Sequence, residues 1–250
     1  MQIIIFSIFI LVVIDILIVL KRLRVSGLIA SYKLLFHDIG YHRRTSPSII
    51  RNSHEKTILM VGDCTAVGPM IAVEDTLAGK LADTFRVNVI NRAINGAKTK
   101  DIVNQIDSAA SKKFFLTILH TGNNDISQLT NLDKLRKDII VALDKAKSVS
   151  EHVILFRGGN VGSFPIFPVF IGWIYAARSR KVRTLFQKIA KDKSVTYIEK
   201  FMERKEDIFL KDYRDYYCWD LLHLNSRGYK VWFDCLVEEM GKANIRLDNI

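Results

Sequence analysis

The chain has 250 residues, of which 49% are hydrophobic and 25% are charged, and its formal net charge is +11. This length suits one α/β domain of about 200 residues with an additional segment, and the composition excludes a disordered chain. The positive charge is compatible with nucleic acid, an anionic membrane or an anionic substrate. The three cysteines show neither the spacing of a zinc site nor the even count of a disulfide framework, so we expect reduced thiols and no metal site.

The first predicted element is an apolar run over residues 1–20, interrupted by Gln2, Ser7 and Asp15. Twenty helical residues reach roughly 30 Å, enough to cross the hydrocarbon core of a bilayer. No basic residue precedes Lys21 and no A-x-A site follows, which disfavours a cleaved signal peptide. We therefore predict a transmembrane anchor, in which Asp15 is protonated or paired in an oligomer. A re-entrant or interfacial helix is the alternative.

Residues 21–55 form a predicted basic juxtamembrane linker, with Lys21 and Arg22 at its start and Arg43 and Arg44 further along. The positive-inside rule places this side of the anchor in the cytoplasm, together with a third segment, residues 56–250. The linker either lies on anionic headgroups or is solvated, and the sequence does not distinguish the two.

From Thr57 the chain alternates short apolar runs with helical stretches. The predicted strands are 57–61, 87–90, 114–119, 152–156 and 195–198, and the predicted helices are 70–84, 99–111, 131–147, 178–192 and 226–242. Continuous apolar strands separated by helices are typical of a parallel sheet covered on both faces. Ligands of such sheets bind beyond the carboxyl ends of the strands, so we expect the functional site in the loops that follow them.

Three of these loops carry residues suited to acyl chemistry. Cys64 follows the first strand directly before a helix, and a helix N-terminus is expected to lower a thiol pKa and to offer N–H groups to an oxyanion. Gly96, after the second strand, lets a backbone N–H approach a ligand closely. Asn124, after the third strand, can donate its side-chain amide to the same oxyanion.

A fourth motif lies near the C-terminus, where Asp220 precedes His223 by three residues. An aspartate at this spacing can accept a hydrogen bond from one ring nitrogen, so that the other nitrogen faces Cys64 as a general base. A lone cysteine at a strand end is more often a small core residue, but four motifs in order favour one site. No recognition motif for nucleic acid accompanies them, so we expect no nucleic-acid partner.

The segments GDCTAVG (62–68), NRAINGAKT (91–99), GNND (122–125) and DLLHLNSRGY (220–229) resemble the conserved blocks of the SGNH, or GDSL-like, hydrolases. The resemblance covers roughly residues 56–242. It implies a three-layer α/β/α sandwich with a five-stranded parallel sheet, the flavodoxin-like SGNH fold. It also implies hydrolysis of a small-molecule or lipid ester through an acyl-enzyme, with no cofactor and no metal.

Position by position, the resemblance assigns a role to each motif. Cys64 stands where the family has its nucleophilic serine, and its N–H, with Gly96 and Asn124, matches the oxyanion donors. His223 matches the base, and Asp220 matches the acid that orients it. An active thiol nucleophile is the interpretation we favour, because the other site residues are retained. The alternatives are a catalytically silent binding protein and an acyltransferase.

Residues 158–175 follow the fourth strand and are rich in aromatic side chains, among them Phe164, Phe167 and Trp173. Pro165 and Pro168 prevent one continuous helix across this segment. It is an acyl-chain pocket, a patch on the bilayer, or a loop packed on the core. The basic helix predicted after it is either a solvated face or a site for anionic headgroups.

Overall fold

The computed structural model describes residues 2–34, 45–50, 56–109 and 113–247, and within the first helix the side chains of residues 6–22. In this part of the chain one parallel sheet contains β1 (Thr57–Gly62), β2 (Asn88–Asn91), β3 (Phe114–His120), β4 (Ser150–Arg157) and β5 (Thr196–Glu199). Their order is β2-β1-β3-β4-β5. The predicted five-stranded parallel sheet is confirmed, and each strand ends within two residues of its predicted bounds.

The helices connect these strands and flank the sheet. They are α1 (Gln2–Leu34), α2 (Cys64–Val67), α3 (Leu77–Phe85), α4 (Ile102–Ser108), α5 (Asn123–Ser127), α6 (Leu132–Val149), α7 (Val169–Asp192), α8 (Ile208–Lys211), α9 (Tyr213–Tyr216) and α10 (Ser226–Lys242). The helix predicted over 70–84 begins only at Leu77, because Thr76 caps it by accepting a hydrogen bond from the N–H of Gly79 at 3.0 Å.

Alternate residues of each strand face opposite layers of the sandwich. Met60 and Ile118 pack with Leu236 of α10 in one buried cluster, on the side that also holds α3. Leu59 packs with Phe186 of α7 in the second cluster, together with residues of α4 and α6. Each buried aliphatic side chain stabilises the fold by about 1.5–3 kcal/mol. The three-layer sandwich implied by the resemblance is therefore present.

Residues 45–50, within the predicted linker, lie along the edge of the sheet. The N–H of Ile49 donates to the carbonyl of Val89 at 2.8 Å, and the N–H of Val89 donates to the carbonyl of Ile49 at the same distance. Ile49 is buried in the core cluster that contains Met60. Arg43 and Arg44 lie outside the described residues.

Helix α1 covers the predicted anchor and continues well beyond it. The carboxylate of Asp15 accepts a hydrogen bond from the N–H of Phe170 at 3.3 Å, and the guanidinium of Arg22 lies over the ring of Tyr213 at 5.4 Å. No helix among the described residues is both long enough and apolar enough to span a membrane, so the transmembrane anchor predicted over 1–20 is not supported. That prediction counted apolar residues, whereas Asp15 and Arg22 make polar contacts with the remainder of the chain.

Candidate active site

The loop after β1 is built on Gly62 and Asp63. Gly62 has φ +149, and a Cβ at this position would collide with the carbonyl oxygen of His120 at the end of β3. Asp63 caps α2, since its Oδ1 accepts a hydrogen bond from the N–H of Thr65 at 2.9 Å. Cys64 is consequently the first residue of α2, at the carboxyl end of β1.

A buried acid–imidazole pair lies directly beside Cys64. Asp63 and His120 are fully buried, and the Nδ1 of His120 is 3.3 Å from the Oδ1 of Asp63. The imidazole stacks on the indole of Trp232, with ring centroids 5.3 Å apart and an interplanar angle of 25°. Sequence analysis missed this pair. The signal that could have revealed it is a histidine at the end of an otherwise apolar strand.

The surroundings of Cys64 disfavour its ionised form. Burial, and secondly the negative charge of Asp63, raise the pKa of the Cys64 thiol well above its usual range. The expectation that the helix N-terminus would lower this pKa is wrong. Helix α2 has only four residues, so few peptide dipoles add along its axis, and Asp63 occupies its N-cap. These surroundings therefore favour the neutral thiol of Cys64 over its thiolate.

The predicted acid and base form a hydrogen-bonded pair. The Oδ2 of Asp220 is 2.6 Å from the Nδ1 of His223, and the Oδ1 of Asp220 accepts hydrogen bonds from the N–H groups of Leu222 and His223. Burial acts to raise the pKa of Asp220, but these hydrogen bonds outweigh it and hold the pKa below its usual value. Ionised Asp220 can only accept a hydrogen bond, so this contact favours the tautomer of His223 with a proton on Nδ1.

One cavity of about 160 Å³ brings three of the predicted residues together, since Cys64, Asn124 and His223 all line it. The Nδ2 of Asn124 donates to the carbonyl of Ala97 at 2.8 Å, which fixes this side chain and leaves its second amide hydrogen for a ligand. Gly96 has φ +81 and is exposed, and a Cβ added to it would meet no atom of the described residues beyond its chain neighbours within 4 Å. Gly96 is not among the described residues that line the cavity, although its neighbour Ala97 makes the bond to Asn124.

Asp125 holds two of the site loops together. Its Oδ2 accepts hydrogen bonds from the N–H of Thr99 at 2.9 Å and from the Oγ1 of Thr99 at 2.8 Å, and both residues are buried. These bonds join the loop after β2 to α5, which carries Asn124. Sequence analysis assigned no role to Asp125, although it belongs to the third motif.

The aromatic segment contributes to the site through its first part. Phe164 and Phe167 line the cavity, whereas Trp173 lies on α7 with its side chain 65% exposed. Phe164 and Phe167 also pack against the buried core clusters, as predicted for a loop packed on the core, whereas an acyl-chain pocket stays a prediction. Within the described ranges, no group of three or more His, Cys, Asp or Glu side chains is arranged to hold a metal ion.

Known protein families and solved structures resemble this chain. The GDSL-like Lipase/Acylhydrolase family model matches residues 60–231, a range that contains all four motifs. The chain belongs to the GDSL-like lipase/acylhydrolase family. None of the curated proteins matches the chain.

Solved structures with this GDSL-like fold include a putative lipolytic protein of the G-D-S-L family from Desulfitobacterium hafniense, with a TM-score of 0.61 and 16% identity over 74% of this chain and 99% of that one. A psychrotrophic esterase from Pseudoalteromonas has a TM-score of 0.58 and 16% identity, covering 77% of this chain and 100% of that one. An acetylxylan esterase from Geobacillus stearothermophilus has a TM-score of 0.55 and 14% identity, covering 80% of this chain and 100% of that one. At these identities the similarity shows the fold.

Proposed function

We propose that the protein is a thiol-dependent acyl hydrolase, which cleaves an ester or thioester bond through an acyl-enzyme on Cys64. The observation that carries the proposal is that Cys64 and His223 line one cavity, and that His223 is hydrogen-bonded to Asp220. The cavity lies at the carboxyl edge of the sheet in a GDSL-like fold, and two of the similar solved structures are esterases.

In the first step, the Nε2 of His223 removes the proton from Cys64 as its sulfur bonds to the substrate carbonyl carbon. The π electron pair of the carbonyl moves to its oxygen, which becomes an oxyanion. The N–H of Cys64 and the side-chain amide of Asn124 donate hydrogen bonds to this oxyanion. When the carbonyl re-forms, the bond to the leaving oxygen or sulfur breaks, and that atom receives the proton from His223. Water then attacks the thioester with His223 again as base, which releases the acid and restores the thiol.

The raised pKa of Cys64 favours a mechanism in which the thiol loses its proton during attack over one with a preformed thiolate. A preformed thiolate is disfavoured, so the proton leaves as the sulfur attacks. The same raised pKa favours the second candidate, a catalytically silent binding protein. In that case the cavity binds an acyl compound but Cys64 never reacts.

The test compares wild type with Cys64→Ala, Cys64→Ser and His223→Ala on p-nitrophenyl butanoate and a matched butanoyl thioester. Cys235→Ala and His152→Ala are matched controls, because Cys235 lies on α10 outside the described lining and His152 lies near the amino end of β4. We expect the controls to retain the rate, and Cys64→Ala and His223→Ala to lose at least roughly 100-fold. A silent wild type with an active Cys64→Ser variant would instead establish the binding protein.

We also propose that α1 attaches the protein to the surface of an anionic membrane. Its described side chains expose large apolar groups such as Phe6, Phe9 and Leu11, the basic residue Lys21 follows them, and the chain carries a net charge of +11. We expect the full chain to float with vesicles that contain phosphatidylserine, and the Phe6→Ser, Phe9→Ser double variant to float less. Equal flotation of both proteins, or none, would contradict this proposal.

A further inference from the structure

We infer that the acyl group taken by this protein is short, with at most about six carbon atoms in a chain or a ring. The inference rests on the proposed hydrolase function, and it separates small acyl esters from long-chain lipids. The deciding observation is the size of the cavity next to Cys64, about 160 Å³. A cavity of roughly 150 Å³ holds one benzene molecule, which has six carbon atoms.

The chemistry of the lining suits a hydrocarbon group. Beyond Cys64, Asn124 and His223, the walls are mainly aromatic and aliphatic side chains. They include Val161, Phe164, Phe167, Tyr217, Leu222 and Trp232. An acyl chain bonded to the sulfur of Cys64 would therefore exchange water for apolar contacts, at roughly a fourfold gain in affinity for each methylene that fits.

The acidic residue of this lining does not change that character. Asp207 is 3% exposed, and its Oδ1 accepts a hydrogen bond from the N–H of Phe209 at 3.0 Å. Its carboxylate thus caps α8 rather than presenting a free charge to a ligand.

Contacts behind the aromatic wall hold it in place. The ring of Phe164 stacks on Phe167 with centroids 6.2 Å apart, and Phe167 meets the ring of Tyr175 at 4.8 Å. The backbone just before Phe164 lies against α7 so closely that a Cβ on Gly162 would collide with Gly172. Because this wall is packed on a long helix, it cannot readily withdraw to admit a longer chain.

The first arm of the test is kinetic. Wild type is assayed on straight-chain p-nitrophenyl esters from acetate to dodecanoate, at concentrations below micelle formation. We expect kcat/KM to rise by up to roughly fourfold per methylene as far as butanoate or hexanoate, and to fall at least tenfold by decanoate. A kcat/KM that rises steadily to dodecanoate would overturn the inference.

The second arm measures binding without turnover. The full-length Cys64→Ala variant is titrated with neutral primary amides from acetamide to decanamide, by calorimetry. Tightest binding near hexanamide with loss at decanamide supports the size limit even if wild type shows no hydrolysis, in which case only the proposed function fails. Hydrolysis together with amide affinity that keeps increasing to decanamide leaves the function standing and overturns the size limit.

Substitutions in the aromatic wall test whether it sets the longest acyl chain that the cavity accepts. In Phe167→Ala, we expect the amide that binds most tightly to be longer by two or more carbon atoms. The reason is that the substitution enlarges the cavity by about the volume of one aromatic ring. Trp173→Ala is the matched control, because Trp173 is an exposed aromatic residue outside the described lining, and it should leave the chain-length profile unchanged. An unchanged profile in a folded Phe167→Ala protein would contradict the assignment of this wall.

Discussion

Single residues around Cys64 decide what kind of nucleophile it can be. A thiol is intrinsically more acidic than a hydroxyl, but here the desolvated site and the adjacent Asp63 carboxylate oppose its ionisation. His223, oriented by Asp220, is the base that lines the same cavity. The cysteine is therefore proposed to react as the family's serine would, with its proton leaving during attack, rather than as a stored thiolate.

The first prediction concerns the pH dependence of Cys64 alkylation. Iodoacetamide reacts with the thiolate, so a raised pKa delays reaction to higher pH. In a Cys218→Ser, Cys235→Ser background, we expect the alkylation midpoint of Cys64 to lie above the value of about 8.5 for free cysteine. The measurement is the labelling rate between pH 6 and 10, followed by mass spectrometry. A midpoint below about 7.5 would indicate a preformed thiolate–imidazolium pair.

The second prediction concerns Asp220→Asn. Asparagine can donate to Nδ1 and thereby favour the wrong tautomer of His223, so we expect kcat to fall roughly 10²–10⁴-fold with little change in KM. Because the pKa of Asp220 is lowered, wild-type Asp220 should remain ionised down to its usual titration range near pH 4, and an activity loss above that range should not arise from it. Asp215→Asn, in an exposed ion pair with Arg227, is the matched control.

The identities of the site residues could be predicted from the sequence, but their surroundings could not. Cys64 and Asn124 could be named because motifs directly after strands place them at one sheet edge, and Asp220 and His223 could be named from their three-residue spacing near the C-terminus. The partner of Asp63 could not be named, because His120 is 57 positions away and only the register of β1 against β3 brings them together. The sign of the Cys64 pKa shift was also missed, because burial is a property of the folded site and not of the motif.

Among the helices, the bounds were predicted well where one helical pattern fills the whole segment. They were predicted poorly where prolines and aromatic residues interrupt that pattern. Helix α10 has its predicted bounds of 226–242, since Asn225 caps it with hydrogen bonds to the N–H groups of Arg227 and Gly228. Helix α7 was predicted to begin at residue 178, but it begins at Val169. Pro168 occupies its N-cap, where a missing N–H costs nothing, so the prolines mark the start of this helix rather than a longer interruption.

The third prediction tests the turn that presents Cys64. Gly62→Ala would place a Cβ against the carbonyl of His120 at a positive φ, and we expect it to lower the free energy of unfolding by about 2–4 kcal/mol. Gly241→Ala in α10 is the control, since the added Cβ would meet no described residue outside its own helix within 4 Å, and it should raise stability by up to about 1 kcal/mol. Urea unfolding followed by circular dichroism measures both. Equal stability of the two variants would contradict the tight turn.

At the scale of the whole molecule, the alternation of strands and helices predicts a covered parallel sheet, and the carboxyl ends of its strands then share one edge. Periodicity alone does not give the order β2-β1-β3-β4-β5, because which strands become neighbours depends on where each connecting helix crosses the sheet. The N-terminal segment shows a limit of hydropathy as a predictor. A count of apolar residues does not reveal that the carboxylate of Asp15 accepts a hydrogen bond from the N–H of Phe170, 155 positions away.

We propose that Cys64 becomes acylated and that water then hydrolyses the thioester. Intact-mass spectrometry of the full chain, quenched in acid at short times after mixing with p-nitrophenyl butanoate, tests it most directly. In wild type we expect a mass increase of one butanoyl group that maps to Cys64 and decays on incubation in water. In His223→Ala we expect slow acylation and an adduct that persists. Turnover of the ester by wild type with no adduct on Cys64 at any time, or an adduct that never decays, would contradict it.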